Sequence, residues 1–485
     1  MLFNSLEFLV FLPLVVAVYF ICPYRYRWAL LLIASYYFYA AWAPEYLILI
    51  VASTLIDYVL AIQVAKASVK ARRKGLLALG LLLNLGLLFA LKYFNFFNDS
   101  LRALLDQFNV FYNVPAFQAL LPVGISFYTL QTLSYTIDVY RGKTEPERHL
   151  GIFALFVSFF PQLVAGPIER AGRMLPQFHT NHGFSASRVS GGLRLILWGM
   201  LKKVVIADRL GIYVDAVYNN PSDYRGLPII LATYFCAIQI YCDFSGYSDI
   251  AIGAARVMGY DLMENFRQPY CSRSVAEFWR RWHVSLSTWF KDYLYIPLGG
   301  NRVPKWRWYA NLMVVFLVSG LWHGANWTFV LWGALHGFYC LLEAWTKEIR
   351  DKVAQALHLE EKAAVRTMIG TLVTFNLVCF AWIFFRASSI SDAFLLVSNL
   401  TQISISTNIN APWTGVVDNP GLETAFALGL VALSAVAHLV RDQKLQMPPS
   451  IERRIWVRWA AYLLLALAIM NLGIAKETPF IYLQF

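Results

Sequence analysis

Charge is what this sequence has least of. Asp, Glu, Lys and Arg make up 14% of its 485 residues against 58% hydrophobic residues, a balance unlike that of a water-soluble domain. Apolar runs of about 16 to 25 residues recur along the whole length, as bilayer-spanning helices require. The expectation is an all-α, polytopic membrane bundle. The six cysteines (Cys22, Cys236, Cys242, Cys271, Cys340 and Cys379) form no C-x-x-C pair. That excludes a disulfide framework or a cysteine-ligated zinc centre and argues against redox chemistry, so no metal is expected. No internal repeat is visible and no soluble domain is attached, so residues 1–485 read as a single integral-membrane domain. No nucleic-acid partner is expected; membrane lipid is.

The few charges are unevenly placed. The net charge of +12 sits in certain loops, and Lys/Arg excess in short loops marks the cytoplasmic side. The run Leu6–Phe20 has no basic stretch before it and no small-residue cleavage site after it, so it reads as a retained first helix. Arg25 and Arg27 follow that helix and Lys66, Lys70, Arg72, Arg73 and Lys74 follow the third, which puts the N-terminus outside. The run Leu150–Val164 breaks the alternation and contains Pro161, so a re-entrant or broken segment is expected there. The loop Met263–Arg307 and the loop Lys347–Arg366 are both basic and both read as cytoplasmic. The apolar stretch Trp308–Trp345 between them must then enter and return, with arms of about 14 residues, roughly 21 Å, against a hydrocarbon core of roughly 30 Å. Its tip, Ser319 through Gly324, falls within the membrane on this reading. Arg441, Lys444, Arg453 and Arg454 mark the inside again, and the last span, about Trp456–Ile474, leaves the C-terminus outside. About eleven to thirteen membrane segments are expected.

At the tip of that hairpin lies Leu321-Trp322-His323-Gly324-Ala325-Asn326-Trp327. An ionisable side chain at membrane depth is costly and usually lines a cavity or pathway, which makes His323 a site candidate. Asn326, three residues on, shares a face with it if the helix continues, and its amide is a candidate to orient the imidazole. The structural alternative is a histidine bonded to a carbonyl in a packing seam. Forty residues upstream runs Glu277-Phe278-Trp279-Arg280-Arg281-Trp282-His283-Val284-Ser285, followed by Lys291-Asp292-Tyr293 and Gly300-Asn301-Arg302. Arginine interleaved with tryptophan at a membrane edge is usually an interfacial anchor. The functional alternative is an entry site for a phosphate-bearing donor, held by Arg280, Arg281, Lys291 and Arg302. A third stretch, Asp243-Phe244-Ser245-Gly246-Tyr247-Ser248-Asp249, places two carboxylates in an apolar run. It reads as a polar seam whose small residues allow close helix packing, with Asp243 as a candidate supporting residue.

Together with Pro122-Val123-Gly124-Ile125-Ser126-Phe127-Tyr128 and Ala165-Gly166-Pro167, these stretches resemble the membrane-bound O-acyltransferase superfamily, in its bacterial branch typified by alginate O-acetylation. The resemblance covers nearly the whole chain. It implies a helical bundle around a central tunnel, a catalytic histidine at His323 with Trp322 beside it, and a partner role for His283. The last residues, Pro479-Phe480-Ile481-Tyr482-Leu483-Gln484-Phe485, resemble a terminal aromatic motif of bacterial acyl-export systems, in which the tyrosine carries the acyl group. That implies a relay at Tyr482; an interfacial aromatic anchor is the alternative.

The function that the resemblance implies is transfer of an acetyl or other short acyl group from a cytoplasmic thioester, acetyl-CoA or another, with no bound cofactor. The acceptor would be an extracytoplasmic polysaccharide of the alginate, cellulose or peptidoglycan type, reached through a periplasmic acetyltransferase or esterase-like protein. The location would be the bacterial inner membrane. Two other classes remain open at this point: a transporter or channel that relays ions through His323, Asp243 and Asp249, and a catalytically silent scaffold of a polymer synthase.

Overall fold

The computed structural model describes residues 1–42, 44–117, 122, 124–164, 166–358, 362–402, 408–441, 455–474 and 479–481. Val123, Ala165, Lys444, Arg453, Arg454 and Tyr482 lie outside the described residues. Among the described residues there is no β-strand. The chain forms two compact units, residues 1–196 with 248–263 and residues 197–247 with 264–485.

The first unit is built from α1 (Leu6–Ile21), α2 (Tyr24–Ala40), α3 (Leu47–Lys66), α4 (Lys70–Leu88), α5 (Phe94–Asp106), α6 (Ile125–Tyr140), α7 (Leu150–Ser158), α8 (Phe160–Leu163), α9 (Ala171–Phe178) and most of α10 (Ala186–Met200). The run Leu150–Val164 is broken at Phe159, as Pro161 suggests. The backbone groups freed by the break find side-chain partners. Gln131 and Gln162 donate to the Phe156 carbonyl at 2.6 and 2.8 Å, and Phe160 N donates to Ser35 Oγ at 3.0 Å. Such substitutes are what irregular backbone in a membrane protein requires. Gly124 opens α6 at φ +77°, and a Cβ there would lie 2.8 Å from the Leu163 carbonyl. Only glycine fits that position without strain.

The second unit contains α11 (Asp208–Asn219), most of α12 (Leu227–Met258), α13 (Val275–Arg281), α14 (Val284–Phe290), α15 (Lys305–His323), α16 (Trp327–Trp345), α17 (Lys347–Ala356), α18 (Ala363–Arg386), α19 (Ile390–Leu400), α20 (Pro420–Arg441) and α21 (Ile455–Leu472). The arms of the expected hairpin are α15 and α16. Each has 19 residues, about 28 Å at helical rise and not the roughly 21 Å expected from the apolar stretch alone. The difference arises because α15 starts three residues before that stretch, at Lys305, and because the break between the arms is only three residues long. The two helices pack backbone to backbone: a Cβ on Gly320 would meet the Phe329 carbonyl, and one on Gly333 the Phe316 carbonyl. Close approach through small residues is the usual means of helix association in lipid.

Five helical stretches among the described residues are long and apolar enough to cross a membrane: Pro44–Lys66, Lys70–Asp106, Leu227–Met258, Ala363–Arg386 and Ile455–Leu472. Other expected segments are shorter, such as Leu6–Ile21, or are broken, or like α16 carry several Trp, Tyr and His residues that lower their hydropathy.

Candidate active site

His323 is the last residue of α15. Gly324 follows in an extended conformation (φ −158°, ψ 147°), which ends the helix, and Asn326 then caps α16 by accepting from Thr328 N at 3.0 Å. His323 and Asn326 therefore do not share a helix face, contrary to the expectation from their spacing. Asn326 Nδ2 also donates to the Ser388 carbonyl at 3.2 Å, so its amide holds the turn and is not directed to the imidazole. The change of conformation at Gly324 is the physical reason. His323 itself is only 3% exposed. Its ring meets Trp332 edge-to-face at 5.0 Å, Trp322 at 4.9 Å and Phe385 at 5.6 Å. An aromatic wall of this kind excludes water, which strengthens any polar interaction made inside it.

His283 lies in the break between α13 and α14, with φ 43° and ψ 55°. A non-glycine residue in that left-handed region is strained, and such positions cluster at functional sites. The surroundings over-determine it. Val284 N donates to the Asn265 carbonyl at 2.9 Å, Ser285 Oγ to Asn265 Oδ1 at 2.9 Å, and Ser287 N to the His283 carbonyl at 2.9 Å. The ring is fully buried, sits edge-to-face on Phe244 at 4.6 Å, and faces Trp322 at 6.1 Å. Burial pushes its pKa down to about 3, so the imidazole is neutral at ordinary pH. Trp322 is thus a common neighbour of His283 and His323. The structure brings together these three sequence candidates.

The donor-binding candidates separate. A cavity of about 1370 Å³ opens between α13 and α15 to α18, with Arg273, Arg280, Lys347, Arg350 and Arg366 on its walls against Glu343 and Asp351. The wall is positive and large enough for a nucleotide-sized ligand. Arg280 faces it. Arg281 instead bonds Glu277 Oε1 at 2.6 Å. Burial would raise the Glu277 carboxyl, but hydrogen bonds from Arg273 and the charge of Arg281 outweigh it and hold the carboxyl below its usual range. Lys291 and Arg302 are exposed and do not line the cavity.

Asp243, a supporting candidate, is an ion-pair partner: its Oδ1 lies 2.7 Å from Lys203 Nζ, and Lys203 also reaches Asp208 at 2.9 Å. The polar-seam reading of its neighbours holds as well. Ser245 Oγ accepts from Lys202 at 2.9 Å, and a Cβ on Gly246 would lie 2.8 Å from the Gly199 carbonyl. Two participants escaped the sequence reading. His336 is fully buried, with Nδ1 accepting from Trp279 Nε1 at 3.2 Å and its ring 5.0 Å from Trp332. The rule that singled out His323, an ionisable group in an apolar run, points to His336 equally. Lys203 is the other, and it lies in none of the motifs the sequence offers. Among the described residues no cluster of three or more His, Cys, Asp or Glu is arranged to hold a metal.

Residues 149–390 match the model of the membrane-bound O-acyltransferase family. The chain is 37% identical to the probable alginate O-acetylase of Azotobacter vinelandii over the whole of both proteins. It is 31% identical to the peptidoglycan O-acetyltransferase of Helicobacter pylori over 94% of this chain and 91% of that one, and 29% identical to the teichoic acid D-alanyltransferase of Streptococcus thermophilus over 54% of this chain and 68% of that one. With its helical, multi-pass architecture and its pair of buried histidines, the chain belongs to the membrane-bound O-acyltransferase family and is an O-acyltransferase.

Proposed function

We propose that this protein takes an acetyl or other short acyl group from a cytoplasmic thioester, such as acetyl-CoA, and passes it across the bacterial inner membrane for O-acylation of an extracytoplasmic polysaccharide. The observation that carries this reading is the pair of buried imidazoles, His323 and His283, sharing Trp322 as a neighbour in the unit that also holds the basic cavity. Names of relatives that act on alginate and peptidoglycan support a polysaccharide acceptor. Five cationic side chains against two carboxylates on the cavity wall support a phosphate-bearing donor.

His323 is the general base. Its neutral ring takes the proton of the acceptor hydroxyl as that oxygen attacks the thioester carbonyl. The C–O bond forms, the C–S bond breaks, and the proton passes to the departing sulfur to give the free thiol. His283, neutral and held rigidly by Asn265 and Phe244, supports the indole against which His323 packs. Tyr482 is the first acceptor. Its phenol, with an ordinary pKa of about 10, forms an aryl ester that is a more reactive donor than an alkyl ester. A periplasmic acetyltransferase or esterase-like protein then moves the group to the polymer, which requires the C-terminus outside.

Reconstitution in proteoliposomes with labelled acetyl-CoA on the side of the basic loops tests the reading. Label on protein or acceptor, with release of free thiol, is expected. Ion flux without thioester turnover would contradict it and favour a transport function.

A further inference from the structure

Residues 479–481 are docked in a buried polar socket made by residues more than two hundred positions earlier in the chain. Ile481 N donates to Asp243 Oδ2 at 2.7 Å and Lys203 Nζ donates to the Pro479 carbonyl at 3.5 Å. Lys203 in turn pairs with Asp243 at 2.7 Å and Asp208 at 2.9 Å. All three ionisable side chains are buried, at 5%, 3% and 9% exposure for Lys203, Asp243 and Asp208. A carboxylate buried this deeply is costly unless donors meet its oxygens. The Ile481 N–H is such a donor, and a backbone N–H to a carboxylate is a strong, charge-assisted bond. Between the two polar contacts Phe480 is 1% exposed, stacks on Tyr247 at 4.9 Å and packs on Phe244 at 5.2 Å. Phe244 is the ring that carries His283 at 4.6 Å.

We propose that Asp243 and Lys203 are positioning residues whose socket clamps segment 479–481 against Phe244, the ring beside His283, and that acyl transfer depends on this clamp. This rests on the reading of Tyr482 as acyl acceptor. The polar residues of the α12 motif thus have a task beyond helix packing: they read a backbone N–H and a backbone carbonyl, and Phe480 sets the register. Neither Asp243 nor Lys203 touches the acyl group.

The test removes the donor and spares the socket. Ile481→Pro deletes the N–H that Asp243 accepts, whereas Ile481→Val keeps it. Hydrogen exchange of the full-length protein in nanodiscs should show the Ile481 amide protected in wild type and in Ile481→Val. In Ile481→Pro, where no amide remains at 481, the amides of its neighbours, Phe480 included, should exchange at least tenfold faster. Acyl transfer by Ile481→Pro should fall at least tenfold in kcat with KM for the thioester unchanged, and Ile481→Val should retain wild-type values. Asp243→Ala should reproduce the Ile481→Pro kinetics and also release the Ile481 amide. Slow exchange at Ile481 in Asp243→Ala, or normal kcat in Ile481→Pro, would overturn the proposal. Tyr482→Phe separates the two ideas: full activity in that variant together with fast exchange in Ile481→Pro would leave the docking intact and remove the relay.

Discussion

His283 and His323 stand forty residues apart in the chain and meet through one indole, with ring centroids 6.1 and 4.9 Å from Trp322. One histidine ends a helix and the other occupies a strained break between two short ones, so both are placed by backbone termini and not by helix faces. Both rings are buried against aromatic side chains, a setting that keeps water away from a reacting group.

His283 carries a signature in pH. Its pKa in the fold is depressed to about 3 by burial, below the ordinary imidazole value of about 6.5. The unfolded chain takes up a proton below that ordinary value and the folded chain does not. Stability linked to His283 is therefore fully present above about pH 6.5 and is lost as pH falls toward 3, by about 1 kcal/mol per pH unit. Thermal unfolding in detergent at pH 7.5 and pH 5 should show a larger loss for wild type than for His283→Gln. Equal losses would place His283 in a wetter environment than the structure gives it.

Donor recognition should separate the two adjacent arginines. Arg280→Gln removes a cation from the cavity wall and should raise KM for the acyl thioester about tenfold, the scale of one charge-assisted hydrogen bond, with little change in kcat. Arg281→Gln breaks the pair with Glu277 and should lower thermal stability with KM nearly unchanged. Steady-state kinetics on both variants decides this; a KM effect for Arg281→Gln equal to that for Arg280→Gln would contradict the geometry.

The Trp279–His336 hydrogen bond offers a third measurement. Trp279→Phe keeps an aromatic wall but leaves buried His336 Nδ1 without its donor, which should cost about 1–3 kcal/mol. A drop in the unfolding midpoint is expected, along with a weaker effect on KM, because Trp279 also lines the cavity. An unchanged midpoint would mean that the nitrogen finds another partner.

Much of this was legible in the residues. Scarce charge and long apolar runs announced a helical membrane bundle, Pro161 announced the broken segment, and the apolar run around His323 announced that its imidazole is buried. What the sequence hid was three-dimensional. Spacing suggested that Asn326 faces His323, yet Gly324 turns the chain and makes Asn326 a cap. Arginine-rich composition did not distinguish Arg280, on the cavity, from Arg281, in an ion pair with Glu277. The pairing of Lys203 with Asp243 spans two helical stretches joined by a long connection, and no local pattern encodes such a contact.

The relay at Tyr482 predicts that Tyr482→Phe, which keeps the ring and deletes the hydroxyl, still binds donor yet acylates no polymer. Intact-protein mass spectrometry of wild type incubated with donor alone should show one acyl adduct, lost in that variant. Normal polymer acylation by Tyr482→Phe would move the first acceptor to a partner protein.

The most direct test of the account is donor turnover by purified His323→Ala in proteoliposomes with acetyl-CoA and acceptor present. Loss of thioester turnover by at least a hundredfold is expected, the usual scale of general-base catalysis of about 100- to 10,000-fold, at normal insertion and with donor affinity preserved. Wild-type turnover by His323→Ala would contradict the assignment of His323 as the base and, with it, the proposed chemistry.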